Sequence, residues 1–177
     1  MRFILRPNHK TRFTRKCIAE AIVILLQGTP FEKLRVSAII KKAGISRMTF
    51  YKYYDSPKAA LIDYLQIMIS EYVEEDQYEH TREVYRSYEH ILYSIQFFDR
   101  YANFFLTLSR NGLHYILLDG INQFMTSHVE IRDAITIYEI YAYAGGLLNT
   151  FLLWEESEKR DSAEEVAKHL FALYGEQ

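Results

Sequence analysis

Between Ala43 and Lys58 the chain reads Ala-Gly-Ile-Ser-Arg-Met-Thr-Phe-Tyr-Lys-Tyr-Tyr-Asp-Ser-Pro-Lys, and the groups able to do chemistry crowd its middle. Ser46, Arg47, Met48, Thr49, Tyr51, Lys52 and Tyr53 offer hydroxyl, guanidinium, thioether, aromatic and ammonium groups. So short a run cannot wall an enzyme pocket. It suits a helix laid in a DNA major groove, where three or four side chains reach base edges on the floor while others hold phosphates on the walls. Arg47 has the fork for guanine O6 and N7. Met48 and Thr49 match a thymine methyl, and the Tyr51 and Tyr53 hydroxyls match phosphate oxygens.

The surrounding residues are those needed to position such a helix. Gly44 supplies the positive φ that ends the preceding helix, and Ser46 is placed to cap the next. Ser56-Pro57 reads as an N-cap followed by proline at the first helical position. Ile39, Ala43, Ile45, Phe50 and Tyr54 have the apolar character to lock the pair onto a first helix, leaving the reactive set outward. Lys58, in the first turn of the following helix, falls where a cation and a helix N-terminus both favour a phosphate.

Elsewhere the apolar spacing is helical throughout, and only seven Gly and three Pro punctuate the chain, so an all-α protein of about nine helices is predicted. Their spans are Lys10–Gln27, Val36–Ala43, Arg47–Tyr53, Pro57–Asp76, Thr81–Phe98, Tyr101–Arg110, Leu113–His128, Glu130–Ser157 and Ser162–Tyr174. On the first, Phe13, Cys17, Ile18, Ala21, Ile22, Leu25 and Leu26 form the inner side. Asp161 and Ser162, each followed three residues later by Glu, make a capping-box pattern, and Gly175 closes that last helix. The domain seam falls near Asp55-Ser56, giving residues 1–56 and 57–177, with the fourth helix as the bridge.

Charge divides the same way. The net charge of −2 over 177 residues conceals +10 in residues 1–60, where thirteen Lys and Arg meet only Glu20, Glu32 and Asp55, and −12 in the rest. A basic third on an acidic remainder points to a polyanion partner for that third alone. The arm Met1–Lys16 carries Arg2, Arg6, Lys10, Arg12, Arg15 and Lys16 with no acid. Either it tracks phosphates or enters a minor groove, or it is a solvated tail of which only Arg12 to Lys16 matters. Cys17 is the sole cysteine, which excludes a disulfide within the chain and favours a reduced, cytoplasmic setting. Met1–Lys16 lacks the apolar core of a signal peptide. Ala134–Trp154 has Glu139 as its only charge, but its Thr136, Asn149, Thr150, three tyrosines and acidic flanks favour a fully buried helix over a membrane span.

His80, His90, His114, Asp119 and His128 invite a metal or catalytic reading. No two of these histidines stand four apart as in a helical zinc site, and Ser109 with His114 lacks the turn of a nucleophile elbow. Surface or capping histidines are the better account, with no catalytic residue, no metal and no cofactor expected.

The pattern Ala43-Gly44-Ile45-Ser46-Arg47-x-Thr49-Phe50-Tyr51-x-Tyr53-Tyr54-x-Ser56-x-Lys58 resembles the helix-turn-helix signature of the TetR/AcrR family of bacterial transcription regulators. Ile18, Ala21, Leu25, Gly28 and Phe31 agree with it. The spelling from Ile45 to Tyr51 is similar to the subgroup typified by the dihydroxyacetone kinase regulator. The likeness covers about residues 10–65; beyond it only the helix pattern and the Trp154-Glu155 ending of a long helix look familiar. It implies that Ser37, Ser46, Arg47, Thr49, Tyr51, Lys52, Tyr53 and Lys58 face a double-stranded operator. Three positions depart from it. Met48 stands where glycine or a polar residue is common. Arg35 stands where Thr or Ser usually caps the second helix, which leaves it a phosphate contact instead. Tyr54 replaces Phe and brings a hydroxyl that needs a partner.

The resemblance also implies a small apolar effector among the aromatics of the acidic bundle, for which Tyr88, Phe97, Tyr101, Phe105 and Tyr115 are the candidates; an aromatic stripe serving only as core is the other reading. Ala134–Trp154 is apolar on more than one face, and Gly145-Gly146 with Ala142 and Ala144 permits close approach of another helix. With Val166–Tyr174 it is expected to form a two-fold homodimer interface through Leu147, Phe151, Val166, Leu170, Phe171 and Tyr174. A dimer also explains one short reading helix per chain, since two copies meet successive major grooves of a near-palindromic site. The expected function is therefore a dimeric DNA-binding regulator, not an enzyme and not a membrane protein, with control by a small effector. The alternative is a ligandless coactivator whose bundle docks another protein.

Overall fold

The computed structural model describes residues 9–75, 85–129 and 134–175. Among these residues every regular element is a helix. The elements are α1 (His9–Leu26), α2 (Val36–Ala43), α3 (Arg47–Tyr53), α4 (Pro57–Glu75), α5 (Tyr88–Asp99), α6 (Ala102–Arg110), α7 (His114–His128), α8 (Ala134–Glu156) and α9 (Ala163–Tyr174), with a 3₁₀ turn at Phe31–Lys33. Arg2 and Arg6 of the basic arm, Asp76, His80, the start of the helix expected from Thr81, and Glu130 lie outside the described residues.

The chain divides into two compact units, Met1–Met68 and Ile69–Gln177, which part inside α4. In the first unit, α1 packs on α2 and α2 on α3. Ile18, Ile22, Ile39, Phe50 and Leu61 are fully buried there. Phe13, expected on the inner side of α1, is instead 63% exposed. At 100° per residue the buried set Ile18, Ala21, Ile22 and Leu26 fixes the inward direction, and Phe13 falls on the opposite stripe with Glu20 and Ile24.

The second unit is a helical bundle in which α5 lies against α9, α8 against α7 and α9, and α6 against α7 and α8. Ile91, Ile95, Phe105, Leu108, Leu117, Ile140 and Phe151 make its core. The helix expected over Thr81–Phe98 is broken at Arg86-Ser87: Tyr85 is helical, and Ser87 in extended conformation caps α5 by accepting the His90 N–H at 3.2 Å. Ser162 and Glu165 form the expected capping box on α9. Gly175 follows that helix in extended backbone (φ −68°), without a left-handed turn.

α8 differs from the fully buried helix expected. Its inner stripe, Ile140, Ala144, Leu147, Leu148 and Phe151, is buried, but Tyr138 and Leu153 on the far side and Tyr141 on the flank are exposed. No helix of the described residues is long and apolar enough to cross a membrane. Gly146 has a local purpose: a Cβ there would overlap the Tyr174 ring, whereas one on Gly145 would meet open space.

Candidate nucleic-acid interface

The turn between α2 and α3 is built as its residues dictate. Gly44 takes the left-handed conformation (φ 66°, ψ 34°) and its N–H returns to the Ile40 carbonyl, closing α2. Ser46 is extended and caps α3, its Oγ accepting the Thr49 N–H at 3.0 Å. Phe50 is fully buried and Tyr54, the C-cap, is nearly so, which anchors one face of α3.

The opposite face is open. Met48 is 83% exposed and Tyr51 53%, and Ser46, Arg47 and Lys52 are exposed beside them. Tyr53 and Thr49 are half-buried; the Lys52 ammonium lies 5.7 Å from the centre of the Tyr53 ring, and the Thr49 hydroxyl is 2.8 Å from that of Ser46. Arg35 occupies the N-cap position of α2 without any side-chain cap, and its side chain is exposed, as is that of Ser37. Lys58 is exposed in the first turn of α4, behind Ser56, whose Oγ accepts the Ala59 N–H at 3.2 Å. Lys41 and Lys42, exposed in the last turn of α2, add cations that the motif did not single out. Their signal was only their adjacency to the turn.

The hydroxyl that Tyr54 brings does have a partner: it donates to Asp63 Oδ2 at 2.5 Å. Asp63 also receives both prongs of the Arg15 guanidinium, Nε at 2.8 Å and a terminal nitrogen. Burial, then this bond, push the Tyr54 hydroxyl well above the ordinary tyrosine range, and the bond to Asp63 raises Arg15 further. Arg15, counted from the sequence among the cations of a DNA-tracking arm, is thus held by a carboxylate.

In the second unit the five aromatics expected around an effector are not gathered in one place. Phe97 and Tyr101 are neighbours, with ring centres 5.3 Å apart. Tyr88 lies against Phe171, Phe105 packs between Phe98 and Phe151, and Tyr115 is 38% exposed. The aromatic cluster that does form centres on Tyr72, with Tyr93, Phe97 and Phe124 around it at 5.0, 5.1 and 5.7 Å. The Tyr72 hydroxyl lies 2.9 Å from both His90 Nε2 and Ser94 Oγ. His90, expected at the surface or in a cap, is therefore a buried hydrogen-bonded side chain. His128 does serve as a cap, Nδ1 bonding the Phe124 carbonyl at 2.8 Å, and His114 and Asp119 are exposed on α7. The described residues hold no group of three His, Cys, Asp or Glu that could bind a metal ion.

Of the six residues expected at a dimer interface, Leu147, Phe151, Val166 and Leu170 are buried within the protomer's own core. Phe171 is 37% exposed and Tyr174 half-buried. A periodic apolar stripe looks the same whether it meets its own bundle or a second copy, and here it meets its own. The apolar groups left outward on α8 and α9 include Ile137, Tyr138, Tyr141, Leu153, Phe171 and Leu173.

No family model and no curated protein sequence matches the chain. Solved structures do, and the likeness is one of fold: a helix-turn-helix unit followed by a helical bundle, an arrangement shared with a TetR-family transcriptional regulator. The crystal structure of such a regulator from Streptomyces coelicolor is similar over 90% of this chain and 80% of its own, with a TM-score of 0.58 at 20% identity. The dihydroxyacetone kinase operon activator DhaS is similar over 92% of this chain and 94% of its own, with a TM-score of 0.55 at 20% identity. At that identity the likeness establishes the fold.

Proposed function

We propose that the chain is a TetR-type transcription regulator that binds a near-palindromic operator as a homodimer in the cytoplasm. The observation that carries this reading is α3 itself. It is a short capped helix, anchored by Phe50 and Tyr54, that turns Arg47, Met48, Tyr51 and Lys52 outward from a basic unit. Arg47 reads guanine, Met48 meets a thymine methyl, and Tyr53, Lys58, Ser37 and Arg35 hold the backbone, with Ser46 and Thr49 at the helix start. Residues 1–56, with Lys58 from the first turn of α4, bind DNA, and the rest of residues 57–177 dimerises and regulates. Two copies set their α3 helices in successive major grooves about 34–36 Å apart.

A small apolar effector in the bundle would favour one of two pre-existing spacings of those helices. Of the expected set, Phe97 and its neighbour Tyr101 adjoin the aromatic cluster at Tyr72, which is the part of the bundle that favours this reading. The exposed Tyr138, Leu153 and Leu173 favour a second reading in part: a ligandless coactivator would use such groups to dock a protein.

Selection from a random DNA pool, followed by titration of the enriched sequence, tests the proposal. A site with two-fold symmetry is expected. With about six to ten phosphates contacted, affinity is expected to fall by roughly 10³ to 10⁵ between about 50 and 200 mM salt. No enrichment and a flat salt response would sink it.

A further inference from the structure

A seven-residue helix is too short to hold its own direction, so the aim of α3 is set by the buried Phe50 at its middle and by what its ends are tied to. At its start the tie is the Ser46 cap. At its exit the tie is Tyr54, whose hydroxyl reaches Asp63 on α4. The same carboxylate closes on the fork of Arg15 from α1. Three elements thus converge on one half-buried carboxylate, with the Arg15 and Asp63 side chains 19% and 24% exposed.

We propose that Asp63 is a positioning residue: it fixes the angle at which α3 presents Arg47, Met48 and Tyr51, and it engages Arg15 so that Arg15 serves this junction and not a phosphate. The proposal rests on the reading of α3 as the DNA-contacting helix. Its physical basis is the cost of the alternatives. Tyr54 is 6% exposed, and a hydroxyl buried to that degree is destabilising without an acceptor, while an ionised acceptor makes a stronger bond than a neutral one. Taking Asp63 away leaves a hydroxyl and a cation without their shared anion at the exit of the reading helix. Moving Arg15 to a phosphate would break a two-pronged ion pair.

The test uses the full-length chain, its Asp63→Asn and Tyr54→Phe variants and their double variant, each checked for native helix content. Amide exchange without DNA reads the junction directly. Exchange over residues 47–53 is expected to rise in both single variants, and Tyr54→Phe is expected to add less once Asp63 is Asn, whose amide oxygen offers the hydroxyl only a neutral acceptor. Titration with the selected sequence and a scrambled one then reads aim. The ratio of the two affinities is expected to fall about tenfold in Asp63→Asn, while binding to scrambled DNA stays within about twofold. General loss of structure would instead lower both affinities together. A folded Asp63→Asn protein with unchanged exchange and an unchanged ratio overturns the proposal. If Asp63→Asn does not fold, Tyr54→Phe decides alone, and unchanged exchange over 47–53 overturns it. Arg15→Met is expected to leave the salt dependence unaltered; a slope shallower by about 0.9 per protomer would make Arg15 a phosphate ligand. Should the wild-type chain bind no DNA, the reading of α3 fails, and the exchange data still judge the junction.

Discussion

Ser46 Oγ lies 2.8 Å from Thr49 Oγ1 while accepting the Thr49 backbone N–H at 3.0 Å. The two hydroxyls proposed to meet DNA are first of all partners of each other, at the start of α3. Ser46→Ala should cost about 1 kcal/mol through the lost cap, seen as a lower denaturation midpoint. Ser46→Asp keeps a capping oxygen and adds a negative charge beside the phosphates. It should therefore keep wild-type stability while binding DNA more weakly. Equal losses of stability in the two variants would refute the separation.

Arg47 and Lys58 should fail differently. Loss of the Arg47 fork is expected to cost about 1–3 kcal/mol and to relax preference at one operator position. Lys58→Ala should weaken all sequences alike and make the salt dependence shallower by about one per protomer. Repeating the pool selection with each variant checks both, and an unchanged preference in Arg47→Ala would remove that residue from base readout.

How much of this was legible in the sequence varied with the range of the interaction. Gly44, Ser46 and the Ser56-Pro57 start act on neighbours a few positions away, so their spacing alone specifies the turn and the caps. Asp63 acts on Arg15 at a separation of 48 positions, and no periodicity marks that pair; the one hint was a tyrosine hydroxyl at an apolar position. Gly146 gave the opposite trouble. Beside Gly145 it suggested approach by a foreign helix, but the ring it makes room for is Tyr174 of the same chain. Exposure on α8 and α9 was illegible for a related reason, since both sides of α8 are apolar and only the folded bundle decides which is covered.

Acid should act on the last helix through Glu165. Its carboxylate accepts the Ser162 backbone N–H at 2.8 Å, a bond that holds it below the ordinary glutamate range. A carboxyl whose folded value is lowered contributes stability above its unfolded value and loses it as pH falls through the folded one. Gln at this position keeps a neutral bond without the charge. The gap in denaturation midpoint between wild type and Glu165→Gln should thus be present near neutral pH and close on the acid side of about pH 4. A gap that persists at low pH would assign the effect to something other than this carboxylate.

The dimer should be held by the outward groups of α8 and α9 and not by their inner stripe. Leu170 is 1% exposed inside the protomer, so Leu170→Glu buries an unpaired charge in the core and should cost several kcal/mol, enough to unfold the second unit. Leu153 and Leu173 are 67% and 74% exposed, so Glu at either leaves the folded protomer intact. Covering both leucines with a second copy would be worth about 1.5–3 kcal/mol each, and a charge at either site would forfeit that and add a desolvation cost. The Leu153→Glu, Leu173→Glu double variant should therefore keep its helix content, run as a monomer in light scattering, and lose most of its operator affinity, because a single half-site offers too few contacts. A double variant that stays dimeric and binds the operator normally would place the interface on another surface of the chain.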